Sequence, residues 1–205
     1  MNQEVDKLLE FYEINKSKIR SFISSCNIKN DECLFGELCF CICTPQSRAK
    51  NCRDVVNRLK ADKKLFTADV KEMRTYLKGA RFPDKKAIYI VEAREKLPKI
   101  KEMMSSKPEE FREWLIENIN GLGQKESAHF MRNIGFKGLP IIDAHIQNFL
   151  RKTGYYDNEA GSLTKKRYME LEEKFLKLAK EVKIPPEELD IAIWLYQSGE
   201  KEFYG

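Results

Sequence analysis

The 205-residue chain is 42% hydrophobic and 34% charged, which supports one compact core or two small lobes and argues against disorder. Its 37 Lys and Arg against 32 Asp and Glu leave a net charge of +5, compatible with a nucleic-acid partner but no proof of one. No run approaches the roughly 20 apolar residues of a membrane span, and the opening Met1-Asn2-Gln3-Glu4-Val5-Asp6-Lys7 has no signal-peptide pattern, so a cytoplasmic protein without a membrane partner is expected.

Val5, Leu8, Leu9 and Tyr12, followed by Ile19, Phe22 and Ile23, recur at helical spacing and predict an N-terminal helix. All six cysteines (Cys26, Cys33, Cys39, Cys41, Cys43, Cys52) precede residue 53. None has C-x-x-C spacing, and His129 and His145 lie far downstream. The run Cys39-Phe40-Cys41-Ile42-Cys43 is apolar, so packing as small hydrophobes in a reducing compartment is expected ahead of zinc or disulfides. Ile88-Tyr89-Ile90-Val91 has the look of a strand, but its Lys, Glu, Arg and Ala neighbours favour a helix. Boundaries fall at Thr44-Pro45, Phe82-Pro83, Lys107-Pro108, Gly138-Leu139-Pro140 and Pro185-Pro186. Tyr168, Leu171, Phe175, Leu178 and Val182 step by three or four. No two-residue alternation persists, and the pattern predicts an all-α protein of roughly ten short helices.

The segment from Pro108 to Lys152 carries the chemistry. Pro108-Glu109-Glu110 opens a helix with proline and acids in its first turn, and Phe111, Trp114, Leu115 and Ile119 are expected to form its buried face. The helix stops at Asn120-Gly121-Leu122-Gly123. A second begins near Gln124, with Ala128, Met131 and Ile134 facing inward. Glycines in such a hairpin allow a sharp turn and let a phosphate approach bare amides at a helix N-terminus, gripping a phosphodiester without reading sequence. Any helical hairpin may place glycine at its turn, so this feature alone leaves both readings open. Lys125 then sits in the first turn of the second helix, and Asp143 follows the break Gly138-Leu139-Pro140 and the pair Ile141-Ile142. An aspartate there is an ordinary N-cap, and a surface lysine is ordinarily solvated. Their joint arrangement after a glycine hairpin follows from neither.

Asn120-Gly121-Leu122-Gly123-Gln124-Lys125 followed by Leu139-Pro140-Ile141-Ile142-Asp143-Ala144-His145 resembles the helix-hairpin-helix, Gly/Pro, Asp superfamily of DNA glycosylases. Within it, the chain is similar to the second, mainly archaeal type of 8-oxoguanine DNA glycosylase/AP lyase. The likeness extends through Glu37-Leu38-Cys39-Phe40, Thr44-Pro45-Gln46 and Lys78-Gly79-Ala80-Arg81-Phe82, and from Leu189-Asp190 to Trp194. It implies a central helical lobe over 30–136 ending in the hairpin, a second lobe formed by 1–29 and 137–205, and an active site in the cleft between them. It also implies a base-excision repair enzyme acting on duplex DNA that contains a damaged base. Lys125, uncharged in a partly desolvated cleft, would attack C1′, and Asp143 would stabilise the developing positive charge. Schiff-base formation and β-elimination would follow. A monomer is expected, and no iron–sulfur cofactor, because the cysteines that follow the aspartate in endonuclease III relatives are absent after Cys52.

Supporting residues follow from the same resemblance. Gln46 is a candidate to fill the gap left by the flipped base, the alternative being a polar residue at a helix N-terminus. Seven basic residues against Asp54 and Asp62 lie between Gln46 and Lys64, and five against Glu126 and Asp143 between Asn120 and Tyr156. Arg48, Arg53, Lys137 and Arg151 are therefore candidate phosphate contacts alongside Gly121 and Gly123, each with a solvated face as its alternative. Phe82 and Trp194 are candidates to stack on the extruded purine, with core packing as the alternative. His145 is a candidate to orient Asp143. Relatives of this type often end in a lysine that helps recognise the base, whereas this chain ends Glu200-Lys201-Glu202-Phe203-Tyr204-Gly205. Three other readings stand beside this one: a glycosylase for an oxidised pyrimidine or mismatch, a helix-hairpin-helix DNA-binding module without chemistry, and a helical interaction protein. The binding module requires the glycines but neither Lys125 nor Asp143.

Overall fold

The computed structural model describes residues 2–25, 28, 30–157 and 163–199. Cys26 and the C-terminal residues 200–205 lie outside them, and with them the question of the terminal lysine. Among the described residues there are eleven helices and no strand, in agreement with the all-α expectation. They are α1 (Gln3–Ser25), α2 (Asp31–Cys43), α3 (Ala49–Ala61), α4 (Val70–Tyr76), α5 (Pro83–Glu95), α6 (Leu97–Met103), α7 (Pro108–Asn118), α8 (Gln124–Asn133), α9 (Ala144–Lys152), α10 (Lys165–Val182) and α11 (Pro186–Ser198). Ile88–Val91 is helical, within α5. None of these helices is long and apolar enough to cross a membrane. The chain forms two compact units, one comprising Met1–Asn27 with Gly135–Phe203 and the other Ile28–Ile134.

The unit built from both ends of the chain is organised around α11. Leu189, Ile191, Ala192, Ile193 and Leu195 are buried on several faces of that helix, so it packs against α1, α9 and α10 together. The periodic residues of α1 (Val5, Leu8, Tyr12, Ile19) and of α10 (Tyr168, Leu171, Phe175, Leu178) share this core with Ile146, Phe149 and Leu150 of α9. Burying each such side chain contributes about 1.5–3 kcal/mol, which selects the helical register that the spacing predicts.

One polar tie crosses this core. The Tyr12 hydroxyl donates to Glu188 Oε2, and Arg20 Nε donates to the same carboxylate at 3.0 Å. Burial and the Glu188 carboxylate push the Tyr12 phenol up to about 12. The folded value lies above the unfolded one, so the stabilisation is complete below the ordinary tyrosine range and is lost as pH rises towards 12. Thermal melts of wild type and Tyr12→Phe between pH 9 and 12 should therefore converge as pH rises. A constant difference across that range would contradict this linkage.

In the second unit α2 occupies the centre, and from Leu34 to Cys43 all its residues except Glu37 are buried. It packs against α3, α5 and α8. Cys39, Cys41, Cys43 and Cys52 are buried free thiols and Cys33 is partly exposed. Desolvation pushes the Cys39 and Cys41 thiols well up and Cys52 to about 11, as expected of inert core cysteines. Among the described residues no group of three or more His, Cys, Asp or Glu side chains gathers as for a metal ion.

Candidate active site

The helical hairpin lies within the second unit. Helix α7 buries Phe111, Arg112 and Leu115 and ends where Ile119 turns extended at φ −111°, ψ 106°. Trp114, expected on the buried face, is only partly buried, while Ile119 is. The two glycines act differently. Gly121 has φ +91°, the left-handed region that disfavours a side chain, and a Cβ there would lie 2.9 Å from Tyr89 Cδ2. Gly123 has an ordinary φ of −104° as the N-cap of α8, but a Cβ would stand 3.3 Å from Glu126 Oε2. Gly121 thus makes the turn, and Gly123 leaves room for a carboxylate. Gly123 supplies no side-chain cap, so the first amides of α8 are left for an external acceptor, where the helix dipole favours an anion.

Lys125 is the second residue of α8. Its side chain is 29% exposed and Nζ lies 3.2 Å from Glu126 Oε1, the Glu126 side chain being 14% exposed. The lysine expected to be uncharged in a partly desolvated cleft thus has a carboxylate beside it. An ion pair is present, and a proton must leave Nζ before it can attack a carbon. Glu126 was not singled out from the sequence, where an acid beside a lysine is an everyday pair; only its position over Gly123 distinguishes it.

Asp143 is the N-cap of α9, its Oδ1 accepting from Ile146 N at 3.0 Å. The capping alternative is therefore real, yet it uses one oxygen, and none of the described hydrogen bonds engages Oδ2. The strand-like approach to Asp143 is fixed by side chains of the terminal unit. Gly138 N donates to Glu187 Oε2 at 3.2 Å, Ile141 N to Asp190 Oδ2 at 2.9 Å and Ile142 N to the Tyr168 hydroxyl at 3.3 Å. That hydroxyl donates in turn to Pro140 O at 3.2 Å. Asp190 is 3% exposed. Its carboxylate inside the otherwise apolar Leu189-Asp190-Ile191-Ala192-Ile193 run is the signal by which it was open to detection, because a buried acid needs donors. No described hydrogen bond joins His145 to Asp143. His129 packs edge-on against Phe40, 5.4 Å between ring centres.

Gln46 is exposed and lies in the turn between α2 and α3 with φ 56°. The helix begins at Ala49, so the reading as a helix N-terminal residue does not hold. Phe82 is likewise left-handed, φ 57° and ψ 52°, and is 50% exposed, which excludes plain core packing; the Arg81 guanidinium lies 5.5 Å from its ring centre. Two non-glycine residues held in this conformation cost about 1–2 kcal/mol each. Arg48, Lys137 and Arg151 are exposed. Arg53 is not: its guanidinium grips both Glu37 oxygens at 2.6 and 2.9 Å and stacks 4.1 Å from the Phe40 ring centre. Glu37 also accepts from Asn133 Nδ2 at 2.9 Å, so Arg53 serves to tie α3 through α2 to α8 rather than standing ready for phosphate. Trp194 is partly buried against the terminal unit's core.

A family model described as 8-oxoguanine DNA glycosylase matches residues 15–184. The 8-oxoguanine DNA glycosylase/AP lyase of Fusobacterium nucleatum is 35% identical to this chain, covering 96% of it and 94% of the relative. Among solved structures, the 8-oxoguanine DNA glycosylase of Thermotoga maritima superposes with a TM-score of 0.88 at 28% identity, covering 97% of each chain. The Methanocaldococcus jannaschii 8-oxoguanine glycosylase/lyase, solved with a 15mer DNA containing 8-oxoguanine, superposes with a TM-score of 0.84 at 31% identity, covering 96% of this chain and 99% of that one.

Proposed function

The chain belongs to the 8-oxoguanine DNA glycosylase family, and from that membership we infer a reaction in which Lys125 is the nucleophile and Asp143 its electrostatic partner. The protein is a bifunctional glycosylase/AP lyase that removes 8-oxoguanine from duplex DNA and cuts the strand at the abasic site. The observation that carries the residue assignment is the presence of both parts in one chain: a lysine in the first turn of the hairpin's second helix, and an N-capping aspartate with one oxygen to spare.

The glycosidic bond is shielded within a duplex, so the nucleotide must leave the stack. The uncapped amides of α8 grip one phosphodiester, with Arg48, Lys137 and Arg151 adding phosphate contacts. Lys125 Nζ gives up a proton, Glu126 being the nearest acceptor, and its lone pair forms the bond to C1′. The glycosidic bond breaks with its electron pair going to the base. Asp143 offsets the positive charge that builds on the sugar. Opening of the sugar ring yields a Schiff base, loss of a 2′ proton feeds electrons towards the iminium, and the 3′ phosphate departs. Gln46 occupies the gap in the stack, and Phe82 and Trp194 are the stacking partners. The amine itself supplies the covalent chemistry, so no cofactor is required. The enzyme acts as a monomer on nucleoid DNA in the cytoplasm.

The test is a panel of duplexes carrying 8-oxoguanine, an oxidised pyrimidine or a mismatch, incubated with and without borohydride. Release of 8-oxoguanine with a trapped adduct, and binding that weakens steeply with salt, are expected. Preferential release of another base would replace the substrate. Binding without release would leave only a DNA-binding module.

A further inference from the structure

Lys86 is 4% exposed, and among the described residues no carboxylate pairs with it. Its ammonium donates to Cys43 O at 2.6 Å, Pro45 O at 2.9 Å and Ser47 Oγ at 3.0 Å, which uses all three of its protons. Ser47 Oγ also accepts from Arg81 N at 2.9 Å. The backbone N–H of Lys86 donates to Phe82 O at 3.1 Å. One side chain therefore lies between two of the left-handed non-glycine positions, Gln46 and Phe82. Its ammonium brackets Gln46 through Pro45 and Ser47, and Ser47 Oγ carries the link on to Arg81, beside Phe82; the amide bond to Phe82 O is the ordinary first-turn bond of α5.

We propose that Lys86 is a positioning residue that registers Gln46, in the gap of the stack, against Phe82, on the extruded purine. The proposal rests on the reading of Gln46 as the residue that fills the gap in the stack and of Phe82 as one that stacks on the extruded purine. Strained backbone persists only where the surroundings over-determine it, and apart from Asn51 Nδ2 donating to Gly79 O at 3.5 Å, the described hydrogen bonds that tie the segment of Gln46 to that of Phe82, 36 positions on, all run through Lys86 and Ser47. A buried ammonium is costly, and burial pushes Lys86 below the usual lysine range. An apolar residue at this place would leave the last carbonyl of α2, Cys43 O, and Pro45 O in the following turn without this donor, but those carbonyls alone do not require a link to Ser47 and through it to Arg81.

The test separates base extrusion from the later chemistry. Single-turnover release of 8-oxoguanine from a duplex is compared with β-elimination at a preformed abasic site in the same duplex, for wild type, Lys86→Met, Ser47→Ala and Gln46→Ala/Phe82→Ala. A 2-aminopurine beside the lesion reports unstacking. Lys86→Met is expected to slow base release by about 10- to 100-fold, the scale of lost charge-assisted hydrogen bonds, and abasic-site cleavage by less than about 3-fold, since no base must be extruded there. Ser47→Ala should act in the same direction more weakly, and it carries the test if Lys86→Met fails to fold, because the Cys43 and Pro45 carbonyls stay paired. Equal losses in both reactions, or no loss in either, would overturn the proposal and leave Lys86 a structural bond. If Gln46→Ala/Phe82→Ala leaves base release unchanged, the reading of those two residues fails and the proposal with it. If that double variant slows release while Lys86→Met and Ser47→Ala do not, only the registering role falls.

Discussion

Replacing Lys125 by glutamine should abolish the borohydride-trapped protein–DNA adduct and slow 8-oxoguanine release by on the order of a thousandfold or more, as expected when a covalent nucleophile is removed. Glutamine is chosen because its amide can still donate to Glu126, which sits 3.2 Å from the lysine; a shorter apolar residue would leave that largely buried carboxylate without its partner. The variant should keep the wild-type melting temperature to within a few degrees, and its affinity for lesion duplex should change little. The chemistry depends on the amine, whereas the grip depends on the amides of α8 and the basic residues around them. Persistence of the adduct would assign the attack to another amine, and loss of duplex binding in parallel would make Lys125 a phosphate contact.

Asp143→Asn is expected to slow base release by about 10²- to 10³-fold, the scale of a preorganised electrostatic contact, while leaving stability within about 0.5 kcal/mol, since asparagine caps a helix as well as aspartate does. The side chain keeps an oxygen for Ile146 N, now 3.0 Å from Oδ1, and loses only the charge. Asp143→Ala loses both, and should melt lower by the equivalent of about 1 kcal/mol of cap energy without a further large fall in rate. The pair therefore divides the two roles that this residue combines. If Asp143→Asn remains active and Asp143→Ala does not, the aspartate is a cap and the positive charge on the sugar is met elsewhere.

Much of this protein was legible before any coordinates. The periodic residues of α1 and α10 fall in the terminal unit's core because apolar spacing at three and four residues has one buried face to satisfy. The cysteine run sits in the most buried helix for the same reason, alternation within an apolar stretch leaving no side for solvent. The hairpin followed from proline, acids and glycines whose backbone preferences are local. The resemblance supplied the roles of Lys125 and Asp143.

Sequence order determined which residues could be a nucleophile, a cap or a hinge, because those capacities belong to single side chains and to the backbone beside them. Partnership was decided by the tertiary structure. Arg53 reads as one more basic residue until Glu37 and Phe40 close around it, Glu126 is an ordinary acid until it lies over Gly123, and Asp190 becomes the holder of Ile141 only when α11 is buried. Gln46 and Phe82 gain a common anchor in Lys86 through contacts spanning about forty positions. Hydrogen bonds of that reach depend on how helices pack, and no local propensity specifies them.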